Sequence, residues 1–149
     1  MKIEDELKGR FRNDYHKGMI NLTYTVKQLS YDFQQELKKH GLTEPQYNIL
    51  KILRGFRSEG PISLGFIKDR MLDKMSDVSR IVDKLFAKGL IKRQENLKDR
   101  RQKDLEITDI GLSLLKQMDD CEKIVDTLLS NLSQNEVQEL NRLLDKIRK

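Results

Sequence analysis

Eight apolar residues set at helical spacing near the N-terminus constrain the fold most. Phe11, Tyr15, Met19, Leu22, Val26, Leu29, Phe33 and Leu37 follow one another at steps of three and four. That is one face of a helix of about seven turns. The pattern stops near Gly41, a residue suited to a helix C-terminus. A small domain alone cannot cover so long a stripe, so the sequence predicts a partner helix. Only Pro45 and Pro61 interrupt the chain, which leaves long helices permitted. The composition fits: 37% hydrophobic against 36% charged, with no Trp, is a thin apolar supply that amphipathic helices use well.

The middle of the chain changes rhythm. Thr43-Glu44-Pro45-Gln46 reads as a helix start, with Thr43 as N-cap and Gln46 at capping-box spacing. Its stripe is Tyr47, Ile49, Leu50, Ile52 and Leu53. Gly55 to Gly60 breaks it, Pro61-Ile62 leaves room for a minimal strand, and Ser63 caps a short helix carrying Phe66, Ile67 and Met71. A turn over Leu72 to Met75 leads to a helix over about 75–88, with Val78, Ile81, Val82, Leu85 and Phe86 inward. Gly89 ends it. Leu90-Ile91 opens a strand, Asn96 to Gln102 is a polar loop, and Leu105 to Thr108 alternates as the return strand. Two short helices followed by a β-hairpin is the winged helix-turn-helix order. Thr108 or Asp109 then caps a helical region with Leu115, Met118, Cys121, Val125, Leu128 and Leu132 on its stripe. Ser133 to Glu136 is a second capping box, for a last helix with Val137, Leu140, Leu144 and Ile147. The fold class is therefore mainly α with a small β-hairpin wing. The 149 residues are read as one domain, with dimerisation helices at about 11–40 and 112–149 flanking a binding region at about 43–110.

Charge points to the partner. Lys84, Lys88, Lys92, Arg93, Lys98, Arg100, Arg101 and Lys103 lie within twenty residues that hold two acids, Glu95 and Asp99. This segment is net six positive, while the whole chain is +5. Positive charge so concentrated is a binding face rather than a solubility device. On the helix of 75–88, Ser76, Asp77, Ser79, Arg80 and Lys84 are left facing outward. Arg80 suits the O6/N7 pair of guanine in the major groove, and the two serines allow close approach to phosphates or base edges. Asp77 accepts from cytosine N4, caps the helix or orients Arg80. At the hairpin tip, over 96–103, Lys98, Arg100, Arg101 and Lys103 surround Asp99. Such cations repel one another until a DNA backbone relieves them. An arginine there fits the narrow minor groove, and Asp99 pairs with one arginine to hold the tip.

The stretch Ser76-Asp77-Val78-Ser79-Arg80-Ile81-Val82-Asp83-Lys84-Leu85, then Lys88-Gly89-Leu90-Ile91-Lys92-Arg93, resembles the recognition helix and first wing strand of the multiple antibiotic resistance regulator (MarR) family. Asp99-Arg100-Arg101 and Leu105-Glu106-Ile107-Thr108-Asp109-Ile110-Gly111 resemble its wing and next helix, and Gly41-Leu42-Thr43 with Tyr47 and Leu50 its second-helix start. The likeness runs over about residues 11 to 147. It implies a homodimer with intertwined terminal helices, palindromic promoter DNA, and repression relieved by a small-molecule effector or an oxidant. By position it makes Arg101 the minor-groove arginine and Asp99 its supporting acid. The chain departs from the family's usual residues at Lys68, at Asp77, in the turn before the recognition helix, and at Asn96-Leu97-Lys98.

Weaker signals are read conservatively. Cys121 lies on an apolar stripe and is taken as a small buried hydrophobe rather than a sensor. His16, His40 and Cys121 are too scattered for a metal site, and no cofactor is implied. A ligand pocket implied by the resemblance would draw on Tyr15, Met19, Phe56 or Phe66. No nucleophile–base pair or phosphate loop supports an enzyme. A protein-docking winged module is the competing class, and it would carry apolar residues at the wing tip. With no apolar run near ~18 residues and no h-region in Met1 to Arg10, the expectation is a cytoplasmic bacterial-type regulator of double-stranded DNA without a membrane partner.

Overall fold

Helix α1 (Ile3–Leu7) and most of α2 (Asp14–Lys38) make up the first of two compact units, Met1–Gln35; the second is Glu36–Lys149. The computed structural model describes residues 1–148. The long N-terminal helix predicted from the apolar steps is present as α2. The short α1 was not foreseen. Within the first unit Lys17 pairs with Glu4, and the Tyr24 hydroxyl donates to Glu6 Oε2 at 3.1 Å. Phe11 meets the His16 ring edge-on, with centroids 5.7 Å apart. The apolar face of α2 stays largely open: Tyr15 is 90% exposed and Met19 64%.

The second unit starts at the end of α2, where Leu37 is fully buried and Gly41 takes a φ of 72° that only glycine adopts cheaply. Thr43 then caps α3 (Glu44–Gly55) through a complete capping box: its Oγ1 accepts from the Gln46 N–H, and Gln46 Oε1 accepts from the Thr43 N–H. A 3-10 turn (Arg57–Glu59) leads to α4 (Leu64–Arg70), whose N-cap Ser63 accepts from the Phe66 amide. Next come α5 (Val78–Ala87), the strands β1 (Ile91–Glu95) and β2 (Lys103–Ile107), and the helices α6 (Asp109–Gln117), α7 (Asp119–Leu128) and α8 (Gln134–Ile147).

The two strands form an antiparallel hairpin in register from Ile91 opposite Ile107 to Glu95 opposite Lys103. Ile62 adds a single bridge to Leu105, the minimal strand expected there. Helix α3 packs on α5, α6 and β2, and α4 packs on α5. Their shared core is Ile49, Leu50, Leu53, Ile67, Val78, Leu85, Ile91, Leu105 and Leu115, each essentially inaccessible to solvent. The hairpin is thus clamped to three helices.

Three expectations need correction. Helix α5 starts at Val78 rather than 75, because the Asp77 side chain accepts the Arg80 amide and so occupies the N-cap. Phe86 is 43% exposed rather than inward; the Arg93 guanidinium lies 4.3 Å from its ring centroid and covers it. The helical region after Thr108 breaks at Met118, where Asp119 and Asp120 suit a new helix N-terminus.

Candidate nucleic-acid interface

Helix α5 presents Ser79, Arg80 and Lys84 to solvent because Val78, Val82 and Leu85 take the buried positions at three- and four-residue spacing. Ser76 is half-buried just before the helix, and Asp77 is its cap. Of the three roles open to Asp77, helix capping is the one its hydrogen bond shows.

The basic segment divides into two groups. Lys88 Nζ donates to the Gly41 carbonyl at 2.7 Å, which ties the end of α5 to the start of α3. Lys92 pairs with Glu106 across the hairpin, and Arg93 pairs with Asp83, which fixes β1 to α5. These three cations serve the fold. Arg80, Lys84, Lys98, Arg100, Arg101 and Lys103 are exposed and form no ion pair among the described residues. The acids Asp83 and Glu106 are therefore spent on the structural cations, and the outward ones keep their field.

The wing loop spans 96–102, and Lys103 belongs to β2. Asp99 does not ion-pair with an arginine. Its Oδ1 accepts from the Arg101 N–H at 3.0 Å, because a carboxylate two residues upstream of an amide closes an Asx turn more easily than it reaches a guanidinium. Leu97, the one apolar residue of the tip, is fully exposed. Asn96 and Asp104 are joined by a side-chain hydrogen bond; the sequence marks Asn96 only as a departure from the family's usual residue, and Asp104 not at all. An asparagine opening a polar loop was the available signal.

Other candidates lie elsewhere. Phe56 and Phe66 stack edge-on at 5.0 Å, with the Arg70 guanidinium 3.4 Å from the Phe66 centroid, so they form a cluster of their own. A shallow groove beside β2, lined by Leu53, Arg57, Ile62, Leu105 and Leu112, includes neither. Cys121 is buried, and burial pushes its thiol pKa up, with Glu36 and Asp120 adding to the effect. No helix of the described residues is long and apolar enough to cross a membrane.

This arrangement has known counterparts. Residues 42–103, from the start of α3 through the wing, match the MarR family. The HTH-type transcriptional regulator MgrA of Staphylococcus aureus is 32% identical over 110 residues, which span 74% of this chain and 72% of MgrA. The chain belongs to the MarR family. The HTH-type transcriptional regulator MhqR of Bacillus subtilis, 28% identical over 132 residues, covers 88% of this MarR-family chain and 89% of its own length. A mutant of Escherichia coli MarR complexed with operator DNA shares the fold: TM-score 0.76 at 21% identity, over 93% of this chain and 99% of that one. Relatives named as transcriptional regulators place this MarR-family protein in a class that is not enzymatic.

Proposed function

We propose that this protein is a dimeric, sequence-specific binder of double-stranded DNA that represses transcription from palindromic promoter sites, in the cytoplasm and under the control of a small-molecule effector. One domain would span the chain, with residues of about 11–40 and 112–149 dimerising and those of about 43–110 on DNA. In this reading α5 lies in the major groove. Arg80 takes a guanine, Ser76 and Ser79 give close approach, Asp77 holds the helix start, and Lys84 takes a phosphate. The wing enters the minor groove with Arg101, while Lys98, Arg100 and Lys103 meet the backbone and Asp99 shapes the turn.

The observation that carries this reading is the sorting of cations. Those on the outward face of α5 and on the wing lack acid partners, while their neighbours in the same segment are paired internally. The operator complex of the E. coli neighbour adds support for DNA as the partner. The open apolar faces of α2 and of α8, where Ile147 is 65% exposed, support a second copy of the chain. A lone Leu97 at the tip is a small apolar area beside four cations, which favours DNA over a protein partner.

The test is selection from a random duplex pool followed by anisotropy titration at two salt concentrations. The expected result is an enriched palindrome with half-sites about one helical turn apart, bound more weakly as salt rises. Weak, unselective binding that ignores salt would overturn the reading in favour of a protein-docking module.

A further inference from the structure

We infer that Asn96 and Asp104 are positioning residues of the wing, and that their side-chain hydrogen bond sets the tip in the one turn that presents Arg100 and Arg101 together. This rests on the DNA-binding reading above and adds what gives the wing its shape.

The bonding is specific to a carboxamide. Asn96 Oδ1 accepts from the backbone N–H groups of Lys98 and Asp99, at 2.9 and 3.0 Å. Its Nδ2 donates to the Asp104 carboxylate, 3.1 Å from Oδ1 and 3.4 Å from Oδ2. The Asn96 N–H donates to the Gln102 carbonyl at 3.0 Å, and the Gln102 N–H to the Asp99 carbonyl at 3.0 Å. One side chain thus reaches into the loop with its acceptor and across to β2 with its donor. Asp104, opposite Gln94 in the hairpin, lies diagonal to Asn96 and within its reach.

Electrostatics alone gives no reason for Asp104. An acid at the base of a four-cation tip repels the polyanion that the tip is proposed to bind. A carboxylate that receives a charge-assisted hydrogen bond does give one. The loop is then ordered before DNA arrives, so binding does not have to order it.

The test compares variants of the full chain by anisotropy, on a labelled random-sequence duplex of about thirty base pairs, at two salt concentrations. Charge and clamp predict opposite signs for Asp104→Ala. Removing an acid near DNA tightens binding if charge is all that matters; losing the clamp weakens it about five- to tenfold. Asn96→Asp sets two carboxylates against each other and also weakens binding. The paired exchange Asn96→Asp with Asp104→Asn keeps the wild-type net charge and reverses the hydrogen bond: the new amide on β2 donates to the new carboxylate opening the loop. It returns the affinity to within about twofold of wild type, with the wild-type salt slope. Equal or tighter binding by Asp104→Ala, or a paired exchange as weak as Asn96→Asp, would overturn the clamp. Arg101→Ala is the reference: if it weakens binding and lowers the slope while the clamp variants do nothing, the clamp falls and the DNA interface stands. If Arg101→Ala also binds like wild type, the interface reading falls and takes the clamp with it.

Discussion

The winged region and the helices at the two ends carry apolar residues at the same spacing, yet treat them differently. In α3, Ile49 and Leu50 are wholly buried and Leu53 is 1% exposed. In α2 only Leu37, at the very end, is buried, and α8 buries none of its residues. The difference lies in what surrounds each stripe. The stripe of α3 meets α5, α6 and β2 of its own chain. Periodicity therefore says that a face is apolar; only the neighbouring elements decide whether one chain can cover it. A covered face stabilises the fold and an open one is available to a second copy.

The largest effect that would test this contrast is a core truncation. Leu50→Ala leaves a cavity among α3's neighbours and should cost about 2–5 kcal/mol in denaturant unfolding, at any protein concentration. Tyr15→Ala removes a larger side chain, yet should matter only through self-association, as a fall in the sedimentation coefficient on dilution. Equal, concentration-independent losses for both would break the comparison.

How far the sequence was legible follows the same line. Helix starts were readable where the cap is local: Thr43, Ser63 and Ser133 each accept an amide three residues on. The hairpin was readable from alternation and charge. The break at Met118 was not, because the apolar period of Leu115, Met118 and Cys121 runs straight through it, with Met118 and Cys121 both buried. Phe86 misled because its cover comes from Arg93 on another element. The outward cations could be named from spacing and from the turn, whereas the roles of Lys88, Lys92 and Arg93 could not be read, because their partners are set by tertiary contacts. The pairing of Asn96 with Asp104 was not legible for the same reason, since the hairpin register alone brings them together. Helix α1, five residues long, is too short to show a period.

A smaller loss should come from Gly111, at the seam between the hairpin and α6. A Cβ there would sit 2.4 Å from the Leu90 carbonyl oxygen and 2.7 Å from Ile107 Cγ1. Thr108 fixes this approach: its hydroxyl donates to the Gly89 carbonyl at 2.7 Å and accepts from the Gly111 amide. Gly111→Ala should therefore destabilise by about 1–3 kcal/mol through overpacking, read as a lower unfolding midpoint. Full stability would show that this seam is looser than the core beside it.

On the outside of the winged region the expected effects concern binding alone. Arg80→Ala should lose about 1–3 kcal/mol of discrimination at one base pair per half-site, in competition titrations, with unfolding and sedimentation unchanged. Val26→Asp, on the open face of α2, should weaken binding of the same palindrome by dissociating the dimer, and so should shift sedimentation. A uniform loss over all sequences for Arg80→Ala would make it a phosphate contact. An unshifted sedimentation profile for Val26→Asp would remove α2 from the dimer.

The smallest effect separates the two capping boxes, one in each kind of region. Thr43 is answered by Gln46, which is buried and does not titrate. Ser133 is answered by Glu136 at an exposed helix start, its Oε2 accepting the Ser133 N–H at 2.8 Å. That backbone donor and the Ser133 hydroxyl hold the Glu136 pKa below its ordinary value of 4.5. A carboxyl whose pKa is lower folded than unfolded contributes stability above the unfolded value, and loses it as pH falls through the folded one. Acidification below about pH 4.5 should thus fray α8 while leaving the start of α3 untouched. Glu139, held low by Arg142 one turn on, and Glu4, held low by Lys17, lose their own contributions in the same range. The informative quantity is therefore the difference between the wild type and Glu136→Gln, which keeps the box without a titrating group. The wild type should lose more amide-exchange protection at the start of α8 than Glu136→Gln as pH falls from about 5 to about 3, because the hydrogen-bonded carboxylate is protonated below its ordinary range. Matching acid profiles would mean that the box at Ser133 leaves this helix, unlike α3, to be held by whatever covers its apolar face.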